Sequence, residues 1–251
     1  MKISSFIEFL NLMATNPKLF LSCKYDTPLQ NFRYKRAAAL YEQGEDALVR
    51  LLIEELIEKL NLNFPKKLNL EALHEGKRGS LFPYEIKVIA TITKALNPRN
   101  VLEIGTFEGR TSLNIALNMD KNSKLYTMNL PQDKCPDFKI GKFFRNSKVS
   151  NMIQQIEADS LKFDFSKLTK MDMIFIDGAH GHDAVLSDTK NAMKLLNKNG
   201  IILWDDVDNC HLGSTEAVYS QCEKNNFYFY FISETKIAVA WRRDRNKQEK
   251  R

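Results

Sequence analysis

Two acidic segments follow apolar runs, and their residue types could support metal-assisted proton transfer. The run 174–176 is followed by Asp177, and the run 201–204 is followed by Asp205 and Asp206. Short apolar runs bounded by polar residues predict buried strands. If two such strands are neighbours, about 4.8 Å apart, the three carboxylates converge at one sheet edge. Carboxylates this close repel one another unless a cation compensates them, and their oxygens suit Mg²⁺ or Ca²⁺ rather than zinc.

A histidine lies three residues after the first of these carboxylates. His180 could remove the proton of an acceptor hydroxyl, whose pKa a neighbouring metal ion would lower. The alternative is that His180 is an exposed loop residue and that each aspartate forms a turn or caps a helix. We expect His182 and Asp183 to cap the next helix, while His211 is a weaker candidate for an acceptor pocket.

A strand, a glycine-rich turn and a helix follow one another from residue 101 to residue 116. In this segment Glu103 precedes Gly105 and Gly109, which bracket the turn, and Arg110 begins the helix. Such a turn presents backbone N–H groups to a nucleotide-like ligand. The spacing E-x-G-x-x-x-G differs from the G-x-G-x-x-G of dinucleotide enzymes, and the G-K-[ST] of a P-loop is missing. An ordinary glycine-rich turn between strand and helix is the alternative.

Strand and helix patterns alternate from residue 101 onward, which predicts a parallel α/β sheet. The predicted parallel strands are 101–104, 124–129, 152–157, 171–176 and 200–204, and the predicted helices are 110–118, 141–146, 183–196 and 214–224. Only residues 233–235 separate two further strands, 227–232 and 236–241, so these must form an antiparallel hairpin. The carboxyl ends of the parallel strands are where a doubly wound sheet binds its ligand.

The first part of the chain has the pattern of a helical extension over residues 1–75. Helices are predicted at 29–43 and 46–60, followed by a linker at 61–67. Their apolar stripes exceed what a short extension buries by itself, so we expect a homodimer or higher oligomer through these helices.

A loop at residues 76–83 precedes a predicted helix at 84–96. This loop could fold over a cofactor. Glu85 could reach that cofactor, but we expect Glu85 to be exposed to solvent.

The glycine turn and the acidic segments resemble the class I S-adenosylmethionine-dependent methyltransferases, in which E-x-G-x-x-x-G resembles motif I. The runs IGKFFRNS, EADSLKFDFS, MIFIDGAHGHDAVLSDTKNAMKLL and GIILWDD resemble the family that includes macrolide-sugar O-methyltransferases and cephalosporin-biosynthesis relatives. The resemblance covers roughly residues 84–241. It implies a Rossmann-like, doubly wound, seven-stranded methyltransferase sheet over residues 76–241, with five parallel strands and the C-terminal hairpin.

The resemblance also assigns roles to residues. Cofactor binding falls on Glu103, Gly105, Thr106, Gly109, Asn129, Asp159, Ser160 and Asp177. The family's acidic ligands of Mg²⁺ match Asp177, Asp205 and Asp206, and its general base matches His180.

Two of these assignments carry a reservation or an alternative. An acidic residue normally accepts both ribose hydroxyls where this chain has Asn129, and an uncharged amide should hold ribose more weakly. Asp159 could accept the adenine amino group, and an Asx turn or a helix N-cap is the alternative.

Length and composition indicate one domain with an extension for the 251-residue chain. Its four cysteines include no C-x-x-C, which favours reduced thiols in a cytoplasmic protein over a zinc site. No apolar run approaches the roughly 18 residues of a membrane span, and the N-terminus lacks a signal-peptide pattern. We therefore expect a cytoplasmic location and no membrane partner.

Positive charge is concentrated at the C-terminus. Residues 242–251 contain six Lys or Arg and two acidic residues, in a chain of net charge +6. A basic tail can bind nucleic acid or an anionic surface. The commoner alternative is a solvated, frayed terminus.

The primary hypothesis is a Mg²⁺-dependent O-methyltransferase that uses S-adenosylmethionine and methylates a hydroxyl of a sugar or small metabolite. One alternative is a nucleic-acid methyltransferase guided by the basic tail, although the chain has no [DN]-P-P-[YF] motif. A second alternative is a non-catalytic binding protein on a methyltransferase scaffold, which Asn129 makes conceivable.

Overall fold

The computed structural model describes residues 50–75, 79–207 and 211–245. The predicted helix 29–43, the first residues of the predicted helix 46–60 and most of the basic tail lie outside the described residues. No helix in the described residues is long and apolar enough to cross a membrane.

The described residues form one eight-stranded sheet flanked by helices. The strands are β1 (Arg50–Leu51), β2 (Asn100–Ile104), β3 (Lys124–Asn129), β4 (Ile153–Glu157), β5 (Met171–Ile176), β6 (Leu196–Trp204), β7 (Phe227–Ile232) and β8 (Ala238–Arg242). Their order across the sheet is β1-β7-β8-β6-β5-β2-β3-β4. Strand β8 is antiparallel to both its neighbours, β6 and β7, and the remaining pairs are parallel. The predicted parallel strands and the predicted hairpin are therefore confirmed, and β1 is an eighth strand beyond the seven that were expected.

Among the described residues, five α-helices cover the two faces of the sheet. They are α1 (Ile53–Lys59), α2 (Pro83–Leu96), α3 (Arg110–Ala116), α4 (His182–Leu195) and α5 (Leu212–Lys224). Side chains alternate between the faces along a strand, so Val101 packs in the cluster with α1, α2 and α3, and Leu102 packs with α4 and α5. Both faces of the central strands are buried, as parallel sheets require.

Two predictions of local structure were wrong. Within the predicted helix 46–60, Arg50 and Leu51 instead form strand β1 by pairing with Phe231 and Ile232 of β7, and a helix begins only at Ile53. The predicted helix 141–146 is a series of turns. Gly141 has φ +68°, which a right-handed helix does not allow.

Residues 69–73 run along α3, and side-chain amides bind the backbone of this segment. The backbone N–H of Asn69 donates to Asn118 Oδ1 (3.0 Å), and Asn118 Nδ2 donates back to the Asn69 carbonyl (2.8 Å). One helical turn earlier, the N–H of Glu71 donates to Asn114 Oδ1 (3.0 Å), and Asn114 Nδ2 donates to the Glu71 carbonyl (2.9 Å). The two buried asparagines thus replace a strand partner for this segment.

A third residue of α3 holds the same segment nearer the sheet edge. The guanidinium group of Arg110 donates to the carbonyls of Leu73 and Leu81. Arg110 and Asn114 lie four residues apart on one face of α3, and Asn118 follows in the turn after the helix. Arg110 links residue 73 of the segment to residue 81, which lines the cleft.

Candidate active site

A cleft of about 380 Å³ opens at the carboxyl ends of β2, β3, β4 and β5. Eight of the predicted site residues line this cleft: Gly105, Thr106, Gly109, Asn129, Asp159, Ser160, Asp177 and His180. Glu103, Asp205 and Asp206 do not line it. The position agrees with the general rule for ligand sites of doubly wound sheets.

The two glycines of the turn are required by close protein contacts. A Cβ on Gly105 would lie 1.8 Å from the carbonyl oxygen of Asp177, and Gly105 has φ +109°. A Cβ on Gly109 would lie 2.5 Å from the ring of Phe144, and Gly109 has φ +81°. Any side chain at either position would therefore displace the turn that forms the floor of the cleft.

Glu103 lies beneath the turn and is completely buried. One carboxylate oxygen accepts hydrogen bonds from the hydroxyls of Ser112 and Thr127, while Oε1 has no partner among the described residues. Burial raises the pKa of Glu103 to about 7, although these two hydrogen bonds lower it. The structure therefore shows a support for the turn, and the predicted contact with a cofactor stays a prediction.

Asn129 connects the end of β3 to the glycine turn. Its Oδ1 accepts the backbone N–H of Phe107 (3.2 Å). Its Nδ2 donates to the carbonyl of Leu130 (3.1 Å) and to Cys135 Sγ (3.4 Å). An amide satisfies this mixed set of donors and acceptors, whereas a carboxylate could only accept.

Asp159 forms an Asx turn and also lines the cleft. Its Oδ1 accepts the N–H of Leu161 (3.0 Å), and Lys162 Nζ lies 3.5 Å from Oδ2. The next residue, Ser160, donates its hydroxyl to Asp188 Oδ2 of α4 (3.3 Å). Burial raises the pKa of Asp188 to about 6.

The acidic residues after β5 and β6 meet as predicted, because Ile176 pairs with Trp204 at the ends of these strands. Burial and then repulsion from Asp205 raise the pKa of Asp177 well above its usual value. Burial and then repulsion from Asp206 raise the pKa of Asp205 to about 7. Asp205 Oδ1 is buried and has no hydrogen-bond partner among the described residues.

Asp206 already has basic partners. Lys236 Nζ lies 3.1 Å from its Oδ1, and His180 Nδ1 and His211 Nε2 lie 3.6 and 3.7 Å from its Oδ2. Within residues 50–75, 79–207 and 211–245, no three His, Cys, Asp or Glu side chains are placed to hold a metal ion. In this arrangement the predicted donor set Asp177, Asp205 and Asp206 does not fit a divalent cation, since the ammonium group holds one of its carboxylates.

Two residues of this region were placed wrongly from the sequence. Glu85 was expected to be exposed, and that prediction was wrong, because its side chain is only 3% exposed. It accepts the backbone N–H of Phe82 (2.8 Å) and the backbone N–H of Lys236 (3.1 Å). A glutamate three residues after a helix N-cap is the capping-box signal. Lys236 was placed in a strand, but it lies in the loop before β8.

His182 does not cap α4, contrary to the prediction, because the cap is Gly181. The His182 ring lies between two carboxylates, 2.8 Å from Asp183 Oδ1 and 2.9 Å from Glu216 Oε2 of α5. This histidine therefore joins two helices at the edge of the site.

Comparison with known proteins supports a methyltransferase domain. Residues 102–207 match the profile of a family described as a methyltransferase domain. A relative from Dictyostelium discoideum, named "Probable caffeoyl-CoA O-methyltransferase 3", is 26% identical over 170 residues, covering 66% of this chain and 63% of the relative. The chain thus spans less than two thirds of the length of this relative.

Solved structures share the fold. The tomaymycin-synthesis O-methyltransferase of Streptomyces achromogenes, in complex with SAM, has a TM-score of 0.56 at 16% identity, over 74% of this chain and 94% of the other. The SAH-bound methyltransferase of Podospora anserina has a TM-score of 0.57 at 16% identity, over 88% and 100% of the two chains. The turn spacing, the strand order and the matched profile therefore agree on a methyltransferase domain over residues 102–207, with the fold of S-adenosylmethionine-dependent methyltransferases.

Proposed function

We propose that this protein transfers the methyl group of S-adenosylmethionine to a hydroxyl group of a sugar or another small metabolite. The observation that carries the proposal is that His180 lines the same cleft as the glycine turn. A cofactor site and a base for the acceptor therefore share one enclosed space. The name of the Dictyostelium relative, an O-methyltransferase, supports oxygen as the acceptor atom.

The described residues fit the cofactor. A cleft of about 380 Å³ lies within the range of roughly 300–1,000 Å³ that small-molecule sites occupy. The turn 105–109 would hold the amino-acid part of S-adenosylmethionine, Asn129 the ribose, and Asp159 with Ser160 the adenine. When bound, S-adenosylmethionine supplies a methyl group on a sulfonium centre.

His180 has the position of a general base. Its Nδ1 faces Asp206 at 3.6 Å, and its side chain is 47% exposed. With Nδ1 turned toward a carboxylate, Nε2 is the nitrogen that accepts the proton of the acceptor hydroxyl. The walls of the cleft then hold the two reactants in line, which is the main contribution of the protein.

The Mg²⁺ dependence predicted from the sequence stays a hypothesis. The buried Asp205 Oδ1 without a partner is an atom that a cation would satisfy, whereas the Lys236–Asp206 contact opposes a cation at Asp206. No step proposed here depends on a metal ion. Turnover measured with added Mg²⁺ and then with EDTA tests this hypothesis directly.

Replacing His180 with alanine is the test of the catalytic assignment. We expect H180A to lower kcat by at least about 100-fold, the effect typical of losing a general base. Its affinity for S-adenosylmethionine, measured by calorimetry, should not change. The matched control is H74A, because His74 is an exposed histidine that does not line the cleft.

Methyl transfer is followed as S-adenosylhomocysteine released in the presence of a panel of acceptors with vicinal hydroxyls. Full activity of H180A would reject His180 as the base. A folded wild-type protein that does not bind S-adenosylmethionine would reject the proposed function and favour a non-catalytic binding protein.

A further inference from the structure

Lys236 presents an ammonium group next to the acidic residues of the site. Its Nζ lies 3.1 Å from Asp206 Oδ1, and its side chain is 43% exposed. An ammonium group has three N–H donors, and among the described residues Nζ makes this one hydrogen bond. The other donors are therefore available to a molecule that enters from solvent.

The backbone of Lys236 is fixed on both sides. Its N–H donates to Glu85 Oε1 (3.1 Å), and its carbonyl accepts the N–H of Val207 (3.1 Å). The other oxygen of Glu85 accepts the N–H of Phe82 (2.8 Å). One buried carboxylate thus joins the start of α2 to the β7–β8 loop and sets the place from which the lysine side chain extends.

The surroundings of Lys236 combine negative charge with an exposed ring. Burial alone would lower the pKa of Lys236, but the hydrogen bond to Asp206 and the charges of Asp205 and Glu85 raise it, so the group stays protonated. The Phe82 ring is 64% exposed, and its centroid lies 6.0 Å from Nζ. A molecule bound here would meet a cation and an apolar surface together.

His180 approaches the same carboxylate from the cleft. Its Nδ1 lies 3.6 Å from Asp206 Oδ2, whereas Lys236 binds Oδ1. The base and the cation therefore flank Asp206, each next to a different carboxylate oxygen. No other Lys or Arg in the described ranges forms an ion pair with Asp177, Asp205 or Asp206.

We propose that Lys236 supplies the fixed positive charge that binds and orients the acceptor oxygen beside His180, in the place that the sequence pattern assigned to Mg²⁺. This inference rests on the proposed methyl transfer. It also explains why the donor set of three carboxylates does not fit a divalent cation in this chain. Glu85 is then a positioning residue, because it acts through the backbone of Lys236.

Methyl transfer to the acceptor couples removal of its proton to displacement at the methyl carbon. The acceptor O–H bond breaks and its proton passes to His180 Nε2, while the oxygen forms a bond to the methyl carbon. The bond from that carbon to sulfur breaks, and the sulfonium becomes a neutral thioether. Lys236 keeps its proton and donates a hydrogen bond to the oxygen as negative charge develops there, which is preorganised electrostatic stabilisation.

The test compares K236M, K236R and wild-type protein, with K190M as the control at an exposed lysine of α4. Methionine keeps the length of the side chain and removes the charge, while arginine keeps the charge. We expect K236M to lower kcat/KM for the acceptor by about 100-fold, as for loss of one oxyanion donor. K236R should recover most of this loss, and all variants should bind S-adenosylmethionine equally.

A purely structural role would lower the melting temperature of K236M and would not give rescue by arginine. If the wild-type protein turns over and K236M is equally active, the role of Lys236 is rejected and the proposed function stands. Wild-type protein that neither binds S-adenosylmethionine nor turns over would reject the proposed function itself.

A second measurement needs no acceptor. Calorimetric titration of the full chain with MgCl₂ should show no binding to the wild-type protein at submillimolar concentration, because Lys236 compensates Asp206. Binding by the wild-type protein that D206N abolishes would overturn the inference, since a metal ion would then occupy the position assigned to the ammonium group. The same conclusion would follow if EDTA abolished wild-type turnover and Mg²⁺ restored it.

Discussion

Glu103 shows how much a single buried residue under the cleft can lower the free energy of unfolding. Its carboxyl group is buried with one oxygen unpartnered among the described residues, and its pKa rises to about 7 from an ordinary 4.5. The folded state therefore binds a proton that the unfolded state releases between these two values. Stability from this group is highest below pH 4.5 and falls as the pH rises toward 7.

Glutamine at position 103 should remove this pH dependence. One pKa unit corresponds to about 1.4 kcal/mol, so the wild-type protein should lose about 3 kcal/mol through this group between pH 4.5 and 8. E103Q should be more stable than wild type at pH 8 and show a flatter profile. Urea unfolding at pH 5 and pH 8 measures both values, with E58Q as an exposed control. An equal slope in E103Q and wild type would contradict the prediction.

Residue types alone predict part of the acidic site but not its partners. Asp177, Asp205 and Asp206 could be placed at one edge because each follows an apolar run, and the structure confirms that their strands are neighbours. The partners of Asp206 could not be predicted. Lys236 and Glu85 are 151 positions apart in the chain, and only the folded sheet brings the loop before β8 to the start of α2.

At the scale of elements, the position of residues 69–73 depends on side chains that pair with their backbone as a neighbouring strand would. Each paired amide accepts one backbone N–H and donates to one backbone carbonyl of the segment, at Asn69 through Asn118 and at Glu71 through Asn114. Arg110 links Leu73 of this segment to Leu81, which lines the cleft. The contacts behind this part of the cleft therefore include two amides that do not line it.

Removing one paired amide should destabilise the whole domain. N118A would remove both hydrogen bonds to the Asn69 backbone, which are partly buried, and each such bond contributes about 0.5–1.5 kcal/mol. We expect N118A to lower the free energy of unfolding by about 1–3 kcal/mol, measured by urea denaturation. N122A, at an exposed turn, should change it by less than about 0.5 kcal/mol. A loss no larger than that of N122A would show that water replaces the amide.

Elements with a strong local sequence signal could be predicted, and elements with a weak signal could not. The connection, predicted at 233–235 and found at 233–237, is too short for a parallel crossover, and β7 and β8 form the expected antiparallel hairpin. Strand β1 has only two residues, too few for any periodicity, and its pairing partner lies far along the chain. The helix expected at 141–146 failed because Gly141 takes a positive φ to pack against Phe144, a contact that no local pattern reveals.

For the whole molecule, described residues on both sides of the predicted domain 76–241 pack against it. Leu51, Leu56 and Leu60 belong to the hydrophobic cluster that contains α2 and α3. The guanidinium group of Arg245 donates to the Leu60 carbonyl (2.7 Å) and to the Asn199 carbonyl (3.0 Å). Residues 50–60 and the first residues of the predicted tail thus pack as parts of the sheet domain.

Two truncations distinguish the contribution of residues 50–60 to the core from the predicted role of residues 1–49 in forming an oligomer. Removing residues 1–60 would delete three core leucines, each worth about 2–5 kcal/mol as a cavity, so this variant should not fold. Removing only residues 1–49 keeps those leucines, and the melting temperature should stay close to that of the full chain. If residues 1–49 carry the dimer contacts predicted from their apolar stripes, size-exclusion chromatography should show a dimeric full chain and a monomeric truncated chain. A dimer that persists without residues 1–49 would move the interface to the sheet domain, because only that domain then remains to form it.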